Sequence, residues 1–339
     1  MGVIAAVTTL AVVGIAGCSP SPTSSTAFGM PSVVSHHAVL PQGIRRDHVV
    51  YVADIDFNAV FIYPQEGKNQ QPIGEITNGI SGPYGLCVDA KGNLYVSNFL
   101  SSQVQLYKKG SDTPSKTYSI GITNPGALTL GKDGTLYVVS AAGVTEYENG
   151  SLTPTRTLSD FSGGAPTGVA TDAENNLLVT YVTPTSADVR MYAPGSSTGT
   201  NLGLQGLTYP RGIALDATGN YVVSEGPVPP PPPPPPTIHG HHVPGNTQTG
   251  LARKSVGPNI NGWFIYVFAP GQTAPSRTIS TTYFTGALAF NAPVRKLYDN
   301  ALGFDGSVHV YDYRRLYEVN SFSTGGDVTA VAVSPSARR

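Results

Sequence analysis

Six copies of one two-part phrase run through this chain. The first part is a Leu-Tyr-Val-like run, at 50–54 (VYVAD), 94–98 (LYVSN), 136–140 (LYVVS), 177–181 (LLVTY), 221–225 (YVVSE) and 297–301 (LYDNA). The second is a Val-x-x-Tyr-like run that closes on Tyr63, Tyr107, Tyr147, Tyr192, Phe268 and Tyr311. Those closing aromatics are spaced 44, 40, 45, 76 and 43 residues apart. Both runs are rich in β-branched and aromatic residues, which pack well on a pleated surface. A period of about 40–45 residues with several strands per unit is the signature of a β-propeller, whose blades bury their faces only against one another.

Two further ladders complete the unit. Short apolar runs, most of them opening on Pro or Gly, read PYGLCVD (83–89), PGALTLG (125–131), PTGVATD (166–172), PRGIALD (210–216), FTGALAF (284–290) and VTAVAVS (328–334). Their small residues suit innermost strands crowding a central axis. Turns such as DAKGN, DAENN and DATGN lead from them to the next strand, so Asp89, Asp172 and Asp216 are expected to hold turn geometry. Polar runs such as SKTYSI, TRTLS and SRTIS are expected as outer strands. Five complete blades then begin at Pro83, Pro125, Pro166, Pro210 and Phe284. The three strands expected over 49–77 need a fourth, and VTAVAVS is the segment left over. The expected fold is all-β: a six-bladed propeller over 48–339, its last blade closed by the C-terminal strand, which removes open sheet edges.

Composition narrows function mostly by exclusion. A net charge of −1 with only 12% charged residues and no basic run gives no electrostatic case for nucleic acid. There is no phosphate-binding loop and no nucleophile elbow. The apolar run from Val3 to Gly17 is too short for an ordinary membrane span and ends in IAGC (15–18). It reads as a signal peptide h-region over 1–17. IAGC resembles the bacterial lipobox, which implies lipidation of Cys18; no Lys or Arg precedes that cysteine, so a basic leader end is expected upstream of Met1. A Ser/Thr/Pro-rich tether is expected over 18–47, with His36 and His37 exposed to solvent. Cys87, in an inner strand, reads as a small buried apolar residue. The long interval before Phe268 carries an insertion at 226–262, between the second and third strands of the fourth full blade. Pro229–Pro236 in it would extend roughly 25 Å as polyproline II, followed by His239, His241 and His242.

The pattern P-x-G-[apolar]-x-x-D, then G-N, then LYV-x-[DN], then V-x-x-Y resembles the NHL-repeat and gluconolactonase-like six-bladed propellers. That resemblance covers 48–339, and the fold hosts lactonases, lyases and pure binding scaffolds alike. It implies that function sits at the channel mouth, where two rings of positions meet. The first ring is the x of P-x-G: Tyr84, Gly126, Thr167, Arg211, Thr285 and Thr329. The second ends each LYV run: Asp54, Asn98, Ser140, Tyr181, Glu225 and Ala301. In the gluconolactonase-like enzymes this mouth holds a divalent cation on Glu, Asn and Asp. Here the first ring has no carboxylate and one charge, Arg211, while Asp54, Asn98 and Glu225 in the second could hold Ca²⁺. The expected function is a non-enzymatic, lipid-anchored, monomeric scaffold of the bacterial cell envelope. It would bind a protein or glycan at the mouth and need no cofactor. The alternative is a metal-dependent hydrolase of the gluconolactonase type using Asp54, Asn98 and Glu225.

Overall fold

The structure is a computed structural model that describes residues 48–68, 70–226, 263–291, 295–302 and 306–334. All of them belong to the larger of two units, which spans 38–339. The expected leader, Cys18, the tether with His36 and His37, and the insertion from 227 to 262 lie outside the described residues.

Among the described residues every regular element is a strand, and the strands form six four-stranded antiparallel sheets. The chain enters with β1 (Val49–Asp54), β2 (Ala59–Pro64) and β3 (Gly74–Ile76). Blade 1 follows as β4 (Pro83–Val88), β5 (Leu94–Asn98), β6 (Gln103–Tyr107) and β7 (Pro114–Tyr118). Blade 2 is β8 (Leu128–Leu130), β9 (Leu136–Ser140), β10 (Gly143–Tyr147) and β11 (Arg156–Leu158). Blade 3 is β12 (Ala165–Thr171), β13 (Leu177–Val182), β14 (Ala187–Tyr192) and β15 (Thr200–Asn201). Blade 4 is β16 (Pro210–Leu215), β17 (Tyr221–Glu225), β18 (Trp263–Phe268) and β19 (Arg277–Thr281). Blade 5 is β20 (Phe284–Phe290), β21 (Lys296–Leu302), β22 (Ser307–Asp312) and β23 (Tyr317–Ser323), after which comes β24 (Val328–Val333). In blade 6, β24 is the inner strand of β1–β3, with Val50 opposite Val333 and Val52 opposite Val331. The inner strands meet in the cyclic order β4, β8, β12, β16, β20, β24 and back to β4, so the ring is closed.

The repeats owe their residues to this ring. Val52, Val96, Val138, Val179 and Val223, the third residues of the Leu-Tyr-Val-like runs, are wholly buried where blades stack face to face. The closing tyrosines are buried as well, and each phenol is tied to the loop that leads into its own blade. Tyr107 donates to Asn78 O at 2.7 Å, Tyr147 to Ile120 O, Tyr192 to Asp160, and Tyr63 to Ser323 O at 3.3 Å. Tyr311 meets Tyr283. A phenol thus fills the core with its ring while its hydroxyl anchors a loop. Asp89, Asp172 and Asp216 each accept the amide and side-chain N–H of the Asn four residues on, which fixes the turns they were expected to hold.

The glycine of P-x-G answers a tighter demand. A Cβ on Gly85 would stand 2.3 Å from Gly126 O, one on Gly212 2.4 Å from Gly286 O, and one on Gly168 2.5 Å from Arg211 O. Neighbouring inner strands approach too closely for any side chain there. Blade 2 departs from the expectation that its inner strand begins at Pro125. The motif there reads P-G-A, and the regular ladder starts only at Leu128, with Gly126 and Ala127 each making a single backbone bond to Val139.

Candidate functional site

The first ring is built by β-bulges. Pairing slips between Pro83 and Gly85, Pro166 and Gly168, Pro210 and Ile213, and Thr285 and Leu288, and between Ala53 and Asp54 opposite β24. The slips leave Tyr84, Thr167, Arg211 and Thr329 without a partner of their own and set Thr285, opposite Ala301, at the edge of one. A bulge re-aims the side chain of the residue it inserts, so one residue leaves the sheet face at the channel mouth in five of the six blades.

The re-aimed side chains have two destinations. The threonines turn to backbone carbonyls of the neighbouring blade: Thr167 Oγ1 to Pro210 O at 2.6 Å, Thr285 Oγ1 to Glu225 O at 2.7 Å, and Thr329 Oγ1 to Pro83 O at 2.7 Å. With Ser97 to Gly126 O at 2.7 Å, Thr171 to Leu130 O at 2.9 Å, Ser224 to Gly286 O, and Asn300 to Val328 O at 2.9 Å, these bonds pin all six interfaces between blades. Tyr84 and Arg211 turn instead to a cleft of about 360 Å³ that spans blades 1 to 4 at the mouth. Gly126, Thr167 and Ser140 also line it. Phe99, Phe161 and Tyr209 complete its aromatic walls. The sequence ladders did not single out these three, because they stand in loops where the repeat varies. The Tyr84 and Phe99 rings lie 5.5 Å apart, and the Arg211 guanidinium sits 4.7 Å from the centre of the Tyr209 ring. A second cavity, of about 30 Å³ between blades 6 and 1, holds no more than water.

The second ring is buried throughout. Asp54 accepts the amides of Asp56 and Phe57, at 3.0 and 3.1 Å, and the hydroxyl of Thr324. Asn98 donates to Gly79 O at 2.7 Å and accepts from Ser81 N at 3.1 Å. Glu225 accepts from the Thr208 hydroxyl at 2.6 Å and the Tyr209 amide at 2.9 Å. Each is therefore turned onto loop backbone in its own blade. Burial raises the Asp54 and Glu225 carboxyls above their ordinary range, against the lowering effect of those bonds. Among the described residues no group of three or more His, Cys, Asp or Glu is placed to hold a metal ion. Tyr181, 3% exposed, meets Phe161 in the core, and Ala301 is buried. Cys87, expected to be buried, is half-buried against the cluster that holds Tyr95, Leu106 and Tyr118, and burial pushes its thiol up.

Asp299 stands out. It occupies the position that the other five blades fill with a buried valine, and it too is 0% exposed. Its Oδ1 accepts from Gly286 N at 3.0 Å, while its Oδ2 is buried without a hydrogen-bond partner. Burial drives its carboxyl well above the usual carboxylate range. The break of LYV to LYD in the sixth repeat was the available signal.

No family model and no curated protein matches this chain. Solved structures do. The chain is similar to one in a nidogen/laminin complex, at 14% identity and a TM-score of 0.64, covering 86% of this chain and 99% of that one. It is similar to hydrazine synthase of Kuenenia stuttgartiensis at 15% identity and a TM-score of 0.57, covering 91% and 94%. It is also similar to regucalcin, a calcium-binding protein of Agrobacterium tumefaciens, at 13% identity and a TM-score of 0.51, covering 74% and 77%. At such identities the shared feature is the fold, a six-bladed β-propeller.

Proposed function

We propose that this chain is a non-enzymatic binding scaffold whose ligand, a protein or a glycan, enters the mouth cleft between blades 1 and 4. One observation carries this reading. The polar side chains that could do chemistry at the mouth are engaged in holding loops and blades, whereas the aromatic and cationic groups Tyr84, Phe99, Tyr209 and Arg211 face open space. Aromatic rings and arginine are the groups that dominate recognition surfaces. That one similar chain was solved in a nidogen/laminin complex agrees with a binding role. On the strength of IAGC, we further propose that a lipid on Cys18 anchors the scaffold to a bacterial cell envelope as a monomer.

The test is capture from envelope extracts by the full chain and by two cleft variants, Tyr84→Ala and Arg211→Gln. A ligand held by the wild type and released by both variants supports the reading. Undiminished capture by both overturns it. The rival, a gluconolactonase-like hydrolase, would have to withdraw Asp54, Asn98 and Glu225 from the loop groups they now bind. It requires a rise in Tm on adding Ca²⁺ that disappears in Asp54→Ala and Glu225→Ala. The scaffold reading expects no such rise.

A further inference from the structure

Among the described residues, the mouth cleft contains one charge and no group that neutralises it. That charge is Arg211, the single cationic or anionic side chain among the described residues lining the cleft. No carboxylate pairs with it among the described residues, and its Nε is buried without a hydrogen-bond partner. The nearest carboxylate along the pairing, Glu225 opposite Pro210, is closed on Thr208 and Tyr209. Leaving a guanidinium N–H buried and unpaired is costly. The fold nonetheless fixes the side chain in place. The bulge after Pro210 lifts it from the sheet, and Tyr209 lies against the guanidinium. Gly226 leaves room for it, since a Cβ there would stand 2.4 Å from Arg211 Cγ. A planar fork held this way matches a carboxylate, which takes two parallel N–H bonds.

The rest of the cleft describes what should carry that carboxylate. Across the cleft from Arg211, the rings of Tyr84 and Phe99, tilted 34° to each other, offer an aromatic wall. Between the two, Gly126, Ala141, Ala142 and Gly143 give a floor of minimal side chains. The volume lies at the small end of the range for ligand pockets, roughly 300–1,000 Å³. A pyranose ring has an apolar C–H face to lie on an aromatic wall, and a uronic acid adds a carboxylate at its rim. A peptide suits the cleft less well. Strand addition needs unpaired backbone groups, and here Gly126 O and Pro210 O already accept the hydroxyls of Ser97 and Thr167.

We propose that the mouth cleft binds a carboxylate-bearing sugar of an acidic glycan, with Arg211 holding the carboxylate and the Tyr84–Phe99 pair supporting the ring. This rests on the mouth being the binding face.

Titration calorimetry of the full chain tests it. The probes are a panel of short oligouronates built on galacturonate, glucuronate and mannuronate, their carboxyl-reduced neutral counterparts, and an Asp/Glu-rich peptide of matched charge. At least one oligouronate should bind, with affinity falling as salt is raised. Its neutral counterpart should bind at least tenfold more weakly. Arg211→Gln should lose at least tenfold and Arg211→Lys less, because lysine keeps the charge but not the fork. Tyr84→Ala should weaken binding independently, and thermal melts of all variants establish that they are folded. Failure of every oligouronate to bind overturns the proposal. So does equal binding of acid and neutral sugars, or wild-type affinity in folded Arg211→Gln. Binding of the peptide alone, lost in Tyr84→Ala, overturns the sugar assignment while leaving the mouth as the binding face. Loss of ligand capture by both cleft variants in the extract assay would mark the same distinction.

Discussion

Replacing Asp299 by valine should stabilise this protein at neutral pH. The substitution restores to blade 5 the residue that the other five blades carry at this fully buried position. It removes a carboxyl whose Oδ2 has no hydrogen-bond partner, and a buried unsatisfied polar group costs about 1–3 kcal/mol. It also strips the buried Gly286 N of its acceptor, an opposing loss of about 1–3 kcal/mol that nearly cancels the first. The gain at pH 7 then comes from removing the cost of keeping a buried carboxyl protonated where the unfolded chain would ionise it, and about 1 kcal/mol from that source would raise Tm by about 2–4 °C. Asp299→Asn isolates the charge, because the amide keeps the bond to Gly286 N and cannot ionise. The sign follows from the raised carboxyl. The folded state holds its proton where the unfolded chain, titrating near the ordinary value of about 3.9, has lost it. Wild-type stability from this group is therefore present below about pH 4 and is lost as pH rises through the folded value. Asp299→Asn should melt with the wild type in acid and above it at pH 7. His309 faces Asp299 from β22 and meets Glu318 at 3.1 Å, and both residues are kept in all three proteins. Circular dichroism melts between pH 4 and 8 read all three proteins. The reasoning fails if Asp299→Val melts below the wild type at pH 7, or if the difference between wild type and Asp299→Asn does not change with pH.

Tyr107→Phe should cost about 1 kcal/mol by freeing Asn78 O, a loss read from denaturant unfolding; Phe268, which stands at the same position in blade 4, marks the ring itself as tolerated. Gly85→Ala should destabilise by about 1–3 kcal/mol, since its Cβ would press on Gly126 O of the next blade, and a lowered urea midpoint would show it. Replacing residues 227–260 with a short Gly-Ser turn should leave the melting curve of the propeller in place, because β17 and β18 pair directly and blade 4 keeps its four strands; loss of cooperative unfolding would contradict that. Cys18→Ala should move the protein from the membrane fraction to the soluble fraction on cell fractionation, and an unchanged distribution would count against lipidation.

The sequence by itself determined the repeat, the strand count per blade, the turns and the six-bladed fold, because each is written in residues near one another. A Val in Leu-Tyr-Val, a tyrosine closing Val-x-x-Tyr and an Asp four residues before an Asn act within one blade, so their period is visible along the chain. The two rings at the mouth could be placed in the sequence, but not which way their members face. Tertiary structure decided that. A slip in pairing lifts Tyr84 and Arg211 into the cleft, while the same slip gives the hydroxyls of Thr167, Thr285 and Thr329 to neighbouring backbone. Asp54, Asn98 and Glu225 read as free oxygen donors at strand ends until the loops they hold come into view. Phe99, Phe161 and Tyr209 have no periodic mark at all. They meet because blades far apart in sequence converge on one axis, and a contact made across that axis leaves no spacing in the chain for a reader to find.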